Sequence, residues 1–327
     1  HDLWDYDTPA QPTLFELERD GQRIPALAQP TKMGHLFILN RETGEPLFPV
    51  EERHVPQDGA VPGETPSPTQ PFPVKPAPLV QAGLSPDDAW GFTFWDRGAC
   101  RREIESLRSD GIFTPPSIQG SVMSPGDMGG NNWGTPAIDP VRGLIVLNTL
   151  KMPQKVRLIP REECELGKDP RTSVQAGTPY CVQVHPLLSP LGAPCVAPPW
   201  STLVAIDMHS GDRRWEVPLG NLEGLAPWPV SRIEGAPSVG GPSVSAGGLT
   251  FIAATTDAYL RAFDTDTGEE LWKARLPTGG HATPTIYTAP QDGRQYVVIT
   301  AGGHWGVPER PTGDWLLAFA LPKTEGR

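Results

Sequence analysis

The chain has 327 residues, of which 38% are hydrophobic, and it contains 40 prolines and 35 glycines. So many turn formers exclude a protein built from long helices and predict a loop-rich, all-β fold. The formal net charge of -11 excludes nucleic acid as a partner, because phosphates would be repelled. No apolar run approaches the roughly 18 residues that a membrane-spanning helix needs.

The first five residues, His1-Asp2-Leu3-Trp4-Asp5, combine two carboxylates with a histidine and a tryptophan. Lys32 follows in an apolar stretch that we expect to be extended. A positioned carboxylate can accept a proton from a substrate hydroxyl, and a fixed ammonium can stabilise a developing oxyanion. Taken alone, an Asp near a chain end and a Lys at a strand edge are ordinarily solvated charges.

A repeated hairpin is the clearest periodic feature. Residues 205–215 and 262–272 share the pattern Ala-x-Asp-x-x-Ser/Thr-Gly-x-x-x-Trp, and residues 38–48 form a weaker copy that ends in Phe48. Each copy predicts a strand, a tight turn with Gly at positive φ and an Asp or Asn bonded to the turn backbone, and a second strand. An aromatic residue at a fixed offset indicates propeller blades, although two unrelated hairpins could also agree by chance.

The remaining elements are short. A helix is expected around 99–107, and long surface excursions are expected at about 56–78 and 170–199. Further strands are predicted from β-branched and aromatic runs at 143–148, 249–254, 296–301 and 315–320.

Four cysteines have spacings that match no C-x-x-C zinc or redox pattern. Two disulfides would suit a Pro-rich chain in an oxidising compartment, and we expect Cys164 to pair with Cys181 and Cys100 with Cys195. The other connectivities, or four buried free thiols, remain open.

The hairpin pattern resembles the tryptophan-docking motif of the quinoprotein dehydrogenases, which carry pyrroloquinoline quinone (PQQ) on an eight-bladed β-propeller. Five segments resemble the membrane-bound glucose, quinate and shikimate dehydrogenases in particular, and they lie at 1–5, 11–14, 68–73, 111–117 and 251–257. The resemblance implies that residues 1–327 are the C-terminal part of such a propeller, with the N-terminal blades absent.

By this resemblance, Asp5 is the catalytic base, and Lys32 is the cation beside the reactive carbonyl of PQQ. Hydride would pass from the substrate carbon to PQQ. Asp2 would be a structural partner, and His1 would orient its neighbours.

The resemblance also implies a set of cofactor-binding residues: Lys32, Asn132, Trp133, Asp257, His304 and Trp305. Glucose-type relatives have a Glu-Trp form where this chain has Gly129-Gly130-Asn131-Asn132-Trp133, so quinate, shikimate or another polyol is the favoured substrate over glucose.

A divalent cation, with calcium expected, would be bound by ligands upstream of this chain, and no metal ligand is assigned within it. The resemblance further implies a periplasmic enzyme attached to the inner membrane through a segment outside the chain, ubiquinone as electron acceptor, and no activity for this fragment alone. The alternative is a non-catalytic propeller scaffold of the outer-membrane assembly type. A haem-linked alcohol dehydrogenase would need a C-x-x-C-H site, which the sequence lacks.

Overall fold

The computed structural model describes residues 1–304 and 312–322, and it confirms an all-β fold. The longest helix among these residues is α1 (Phe94–Ser106), and single 3₁₀ turns lie at Pro86–Asp88, Arg161–Glu163 and Val230–Arg232. The strands, in chain order, are β1 (Thr13–Arg19), β2 (Gln22–Pro30), β3 (Leu36–Asn40), β4 (Val50–His54), β5 (Thr69–Pro73), β6 (Ser121–Met123), β7 (Ala137–Asp139), β8 (Leu144–Leu150), β9 (Gln154–Pro160), β10 (Thr172–Val174), β11 (Tyr180–Pro186), β12 (Ser201–Asp207), β13 (Arg213–Pro218), β14 (Ser243–Val244), β15 (Leu249–Ile252), β16 (Tyr259–Asp264), β17 (Glu270–Arg275), β18 (Thr285–Thr288), β19 (Gln295–Ala301) and β20 (Trp315–Phe319).

Four antiparallel sheets follow one another like propeller blades. Their strand orders are β1-β2-β3, β7-β8-β12-β13, β14-β15-β16-β17 and β18-β19-β20. Strand β7 contacts β1 and β14, and β14 contacts β18, so the first strands of the sheets meet along one side. The apolar core lies between neighbouring sheets, as where Leu17 of β1 joins a cluster with Leu147 of β8. The predicted total of eight blades stays a prediction.

The predicted short elements are all present, with small differences at their ends. The strand predicted at 249–254 ends at Ile252, and the other three begin and end within two residues of their predicted bounds. Helix α1 begins five residues before the predicted start at Ala99, because the Thr93 hydroxyl caps it by accepting from the Asp96 backbone N–H.

Both predicted excursions contain strands. In the first, β5 pairs with β4 as a separate hairpin. In the second, β10 and β11 join β9 and β6 in a further sheet. Val182 and Val184 of β11 pack with Trp4 and Met123 in one apolar cluster. The sheet of the second excursion therefore lies beside the N-terminal segment. Partial burial of Val182 and Val184 explains why this part of the excursion forms a strand.

Both expected disulfides are present. Cys100 of α1 is joined to Cys195, and Cys164 to Cys181. The first bridge lies in a buried cluster with Ile104, Leu187 and Trp200, so it fastens α1 to the loop that precedes β12.

The three docking hairpins have the predicted turn. Gly44, Gly211 and Gly268 have φ values of 78°, 72° and 76°. The Oδ1 atom of Asp207 accepts from the backbone N–H groups of His209 and Ser210 at 2.9 Å. Asn40 and Asp264 make the equivalent bonds in the other two copies. Each turn is thus stabilised locally, as the pattern predicts.

Candidate functional site

The N-terminal segment is anchored by its aromatic side chains. Trp4 and Tyr6 are buried against Phe113, with ring centroids 5.2 and 6.0 Å from it. The Trp4 indole N–H donates to the carbonyl of Thr114 at 2.7 Å, and the Tyr6 hydroxyl donates to the carbonyl of Pro125. Burial of alternate residues leaves Asp5 and Asp7 exposed between these anchors.

Lys32 lies in the turn between β2 and β3, so the expectation that it would be in an extended segment was wrong. The backbone N–H of Thr31 donates to His35 at 3.0 Å, and that of Gly34 donates back to Thr31 at 2.9 Å. Gly34 has a φ of 75°, which favours glycine and closes the turn. The turn holds the Lys32 side chain in the interior, where the residue is only 7% exposed.

Lys32 contacts two carboxylates at once. Its Nζ atom lies 2.9 Å from Oδ2 of Asp5 and 2.6 Å from Oδ1 of Asp7. Burial alone would lower the pKa of Lys32, but its hydrogen bonds and charge interactions with Asp5 and Asp7 outweigh this and raise the pKa. The ammonium therefore stays charged at neutral pH.

The predicted Gly-Gly segment packs against Lys32. The backbone N–H of Gly130 donates to the Lys32 carbonyl at 2.6 Å. A Cβ atom on Gly129 would lie 2.7 Å from Cγ of Lys32, and one on Gly130 would lie 2.6 Å from Cα of Gly34. Only glycine allows this approach. The two glycines thus allow the backbone to pack closely against the Lys32 turn.

The residues after the glycines present unbonded oxygens and an exposed ring. Within the described residues, the side-chain oxygens of Asn131 and Asn132 are buried without a hydrogen-bond partner. The Asn132 amide nitrogen donates to the Met128 carbonyl at 2.9 Å. The Trp133 ring is exposed, and its centroid lies 5.5 Å from that of His304. Asn132, Trp133 and His304 are therefore within one region of the molecule.

Asp257 lies in a buried network of hydrogen bonds. Its side chain is fully buried and forms a salt bridge with Arg261. Its Oδ1 atom also accepts from the Thr255 hydroxyl at 2.6 Å, and its Oδ2 atom from the backbone N–H of Asn221 at 3.0 Å. The Asp257 carboxylate is therefore held by partners within the chain, and its assignment as a cofactor contact stays a prediction. Trp305 lies outside the described residues.

Asp5 lines a cavity of about 650 Å³. One wall is the sheet of the second excursion, with Val182 and Val184, and another is the N-terminal segment. The cavity also contains Asp127, from the loop between β6 and β7. An exposed carboxylate in a partly apolar cavity can act on a bound hydroxyl compound.

Two carboxylates of this site were not predicted from the sequence. Asp7 follows Asp5 at a spacing of two, which in a chain with alternating burial puts both on the same side. That spacing was visible in the sequence. Asp127 is separated from Asp5 by more than a hundred residues, and no local pattern relates the two.

Metal-binding clusters and membrane-spanning helices are not found in the part of the chain that the structure describes. Residues 1–304 and 312–322 contain no group of three or more His, Cys, Asp or Glu side chains placed to bind a metal ion. In the same ranges, no helix has both the length and the apolar composition needed to cross a membrane.

Comparison with known proteins gives the family. The family described as "Glucose/ethanol/alcohol dehydrogenase, beta-propeller domain", with the short name PQQ, matches residues 1–297. The chain is 41% identical to the quinoprotein glucose dehydrogenase of Escherichia coli strain K12 over 98% of its own length and 42% of that protein. It is 40% identical to the quinate/shikimate dehydrogenase (quinone) of Acinetobacter baylyi, over 99% of this chain and 41% of that protein.

Solved structures show the same fold at lower identity. A europium-containing methanol dehydrogenase gives a TM-score of 0.56 at 22% identity, over 92% of this chain and 41% of that one. The quinohemoprotein alcohol dehydrogenase of Comamonas testosteroni gives 0.56 at 20% identity, over 98% and 40%. The chain spans about two fifths of the length of these curated relatives and structures. It belongs to the PQQ family of glucose, ethanol and alcohol dehydrogenase β-propeller domains.

Proposed function

We propose that this chain carries the proton-accepting part of the active site of a PQQ-dependent dehydrogenase that oxidises a hydroxyl group of a polyol or sugar. The contact that carries the proposal is the ion pair between Asp5 and Lys32, 2.9 Å apart, with Asp5 facing a cavity of about 650 Å³. A non-catalytic scaffold would need the docking hairpins, but it would need neither the paired charges nor the cavity.

Asp5 is proposed as the base. Lys32 donates a hydrogen bond to its carboxylate at 2.9 Å, and this carboxylate could accept the hydroxyl proton of a substrate in the cavity. Asp5 has a φ of 59°, a left-handed conformation that is uncommon outside glycine but that Asp adopts more readily than most residues. The buried rings of Trp4 and Tyr6 on either side hold the backbone in this conformation.

The residues around Lys32 fit a planar, polar cofactor. The unbonded Asn132 oxygen could accept from a ring N–H, the exposed Trp133 ring offers a surface for stacking, and the Lys32 ammonium could bind a carbonyl oxygen. PQQ, when bound, would accept two electrons from the carbon that carries the substrate hydroxyl. His304, beside Trp133, is proposed as a further contact, and Trp305 stays a predicted one.

The metal, the electron acceptor and the location of the whole protein are also proposals. We propose calcium bound outside the described residues, electron transfer to membrane ubiquinone, and a periplasmic location with attachment to the inner membrane. The name of the Acinetobacter relative, quinate/shikimate dehydrogenase (quinone), supports a quinone as the acceptor. Because the chain spans 42% of its E. coli relative, we propose that it is inactive without an N-terminal half of the propeller.

The test is the variant Asp5→Asn in the complete gene product that contains these residues, reconstituted with PQQ and calcium. Its rate of dye reduction with polyol and sugar substrates is expected to fall by about 100-fold or more, as is usual when a general base is lost. Its affinity for PQQ, measured by fluorescence titration, should change little.

Asp7→Asn is the matched control, because it removes the same charge from Lys32 and keeps the base. It is expected to lower the rate much less than Asp5→Asn. Equal losses in the two variants, or full activity of Asp5→Asn, would contradict the assignment of Asp5 as the base.

A further inference from the structure

Asp127 is held rigidly at the edge of the cavity that Asp5 lines. The Gln154 amide nitrogen donates to Oδ1 of Asp127 at 2.5 Å, and the backbone N–H of Asp127 donates to the Gln154 side-chain oxygen at 2.6 Å. A Cβ atom on Gly126 would lie 2.7 Å from that oxygen, so glycine is needed for this close pairing. A carboxylate clamped in this way keeps a fixed direction.

The loop that carries Asp127 is fastened to both parts of the Asp5–Lys32 pair. On one side, the Tyr6 hydroxyl donates to the carbonyl of Pro125. On the other side, the backbone N–H of Gly130 donates to the Lys32 carbonyl. Asp127 is therefore fixed relative to the proposed base, although it is far from Asp5 in sequence.

Asp127 differs from Asp5 in its charge environment. Lys32 is bonded to Asp5 and Asp7, and within the described residues Asp127 forms no ion pair. Burial raises the pKa of Asp127 despite the hydrogen bond from Gln154, and the charge of Asp5 adds to the increase. The charge of Lys32 opposes this increase. The two carboxylates thus differ in their bonded partners, an ammonium for Asp5 and an amide for Asp127.

The cavity as a whole is acidic. Its described lining includes four carboxylates, Asp2, Asp5, Glu64 and Asp127, and one imidazole, that of His1, but no Lys or Arg side chain. Lys32 lies behind this lining and is paired with Asp5 and Asp7. A carboxylate on a substrate would be repelled in such a cavity, whereas an uncharged polyol would not. Hydroxyl groups are natural partners for Asp127, because a carboxylate oxygen accepts hydrogen bonds from them.

We propose that Asp127 binds a second hydroxyl group of the substrate, next to the one that Asp5 deprotonates, and that the cavity thereby selects uncharged polyols and sugars over hydroxy acids. This inference rests on the proposed function. Asp127 forms no bond to the reacting atoms in this role and transfers no proton, so it is a specificity-determining residue.

The test is Asp127→Asn in the complete gene product with PQQ and calcium. Asn keeps the oxygen that Gln154 bonds and removes the charge. In contrast to the substrate preference predicted from residues 129–133, the parent protein is expected to prefer glucose and glycerol over quinate and shikimate. In the variant, kcat/KM for the uncharged substrates should fall about tenfold, mainly through KM, because a hydrogen bond to a charged group is lost. The ratio of kcat/KM for glucose to kcat/KM for quinate should fall by a similar factor.

Asp20→Asn is the control, since Asp20 lies at an exposed turn between β1 and β2 and tolerates Asn at its φ of 53°. If Asp127→Asn fails to fold, Gln154→Leu is the second variant. It removes the hydrogen bond that fixes the Asp127 carboxylate, and it should lower the ratio of kcat/KM for glucose to kcat/KM for quinate. An unchanged ratio in these variants, or a parent protein that prefers quinate, would overturn the inference.

Equilibrium binding separates this inference from the proposed function. Binding of glucose and of quinate to the PQQ-free protein can be followed by NMR line broadening. If the parent shows no PQQ-dependent turnover but binds glucose through Asp127, the proposed function fails and only the hydroxyl-binding role of Asp127 is retained. If turnover is normal and Asp127→Asn binds glucose as tightly as the parent, only the inference fails.

Discussion

The indole of Trp215 lies on Gly268 of the next blade, and its Nε1–H donates to the carbonyl of Thr265 at 3.0 Å. A Cβ atom on Gly268 would lie 2.8 Å from the indole ring. Phe48 has the same relation to Gly211, where a Cβ atom would lie 3.1 Å from the ring. The hairpin of residues 205–215 therefore packs its aromatic residue on the blade that follows and receives Phe48 on its own turn glycine.

Gly268→Ala is expected to destabilise the 327-residue chain by about 2–4 kcal/mol. About 1–2 kcal/mol comes from placing Ala at positive φ, and the rest from overlap with the Trp215 ring. Urea unfolding at equilibrium measures the change.

Gly44→Ala separates these two causes. Gly44 occupies the same place in its hairpin, with a φ of 78°, but no atom lies within 4 Å of the position of a Cβ. Its substitution should cost only the backbone part. If both variants lose the same stability, the contact between Trp215 and Gly268 contributes nothing measurable.

The docking hairpins could be predicted from sequence because every part of the turn is local. The Asp207 carboxylate bonds N–H groups two and three residues away, and the glycine that closes the turn lies four residues after it. The direction in which Trp215 packs follows from the repeat of the pattern in the next blade. The sheet of β6, β9, β10 and β11 has no such repeat. The sequence therefore predicted only a long surface excursion at about 170–199.

His35 makes stability depend on pH. Its ring is buried between Phe37 and Phe72, and within the described residues neither ring nitrogen has a hydrogen-bond partner. Burial, with a smaller contribution from Arg53, lowers its pKa from 6.5 to about 4. The unfolded chain therefore binds a proton at a higher pH than the folded one. Stability is expected to fall by up to about 3 kcal/mol between pH 7 and pH 4, and this contribution levels off at lower pH.

His35→Leu should remove this part of the pH dependence. The free energy of unfolding, measured in urea at several pH values from 4 to 7, should vary by about 3 kcal/mol less than in the parent. His209→Gln is the control, because His209 is exposed and should leave the slope nearly unchanged. Equal slopes in His35→Leu and the parent would exclude a buried, neutral His35.

The two disulfides should contribute unequally to stability. Cys100 and Cys195 are separated by 95 residues, and Cys164 and Cys181 by 17. Because a longer loop restricts the unfolded chain more, replacing the first pair with Ser should cost about 4–5 kcal/mol and the second about 3 kcal/mol. Urea unfolding of the two double variants checks the order. A larger loss for the Cys164–Cys181 pair would show that loop length is not the controlling factor.

Residues of the site could be predicted only where they lie in a segment that resembles a known family. Asp5 and Lys32 were found through a resemblance, and the structure brings them together. Asp257 was assigned in the same way, yet its position within a recognisable segment did not reveal where its carboxylate points. That depends on Arg261, four residues later, and on the backbone of Asn221 in another part of the chain. Burial of a charged pair is a tertiary property, which local spacing does not encode.

Asp257→Asn distinguishes the structural role from cofactor binding. It would leave the Arg261 guanidinium, a buried group, with Glu270 as its one remaining carboxylate partner among the described residues. Removing one partner of a buried ion pair should lower stability by about 3 kcal/mol, while the affinity for PQQ, measured by fluorescence titration, should stay unchanged. Asn132→Ala should show the opposite pattern, with weaker PQQ binding and little loss of stability. A strong loss of PQQ affinity in Asp257→Asn, without destabilisation, would instead support Asp257 as a cofactor ligand.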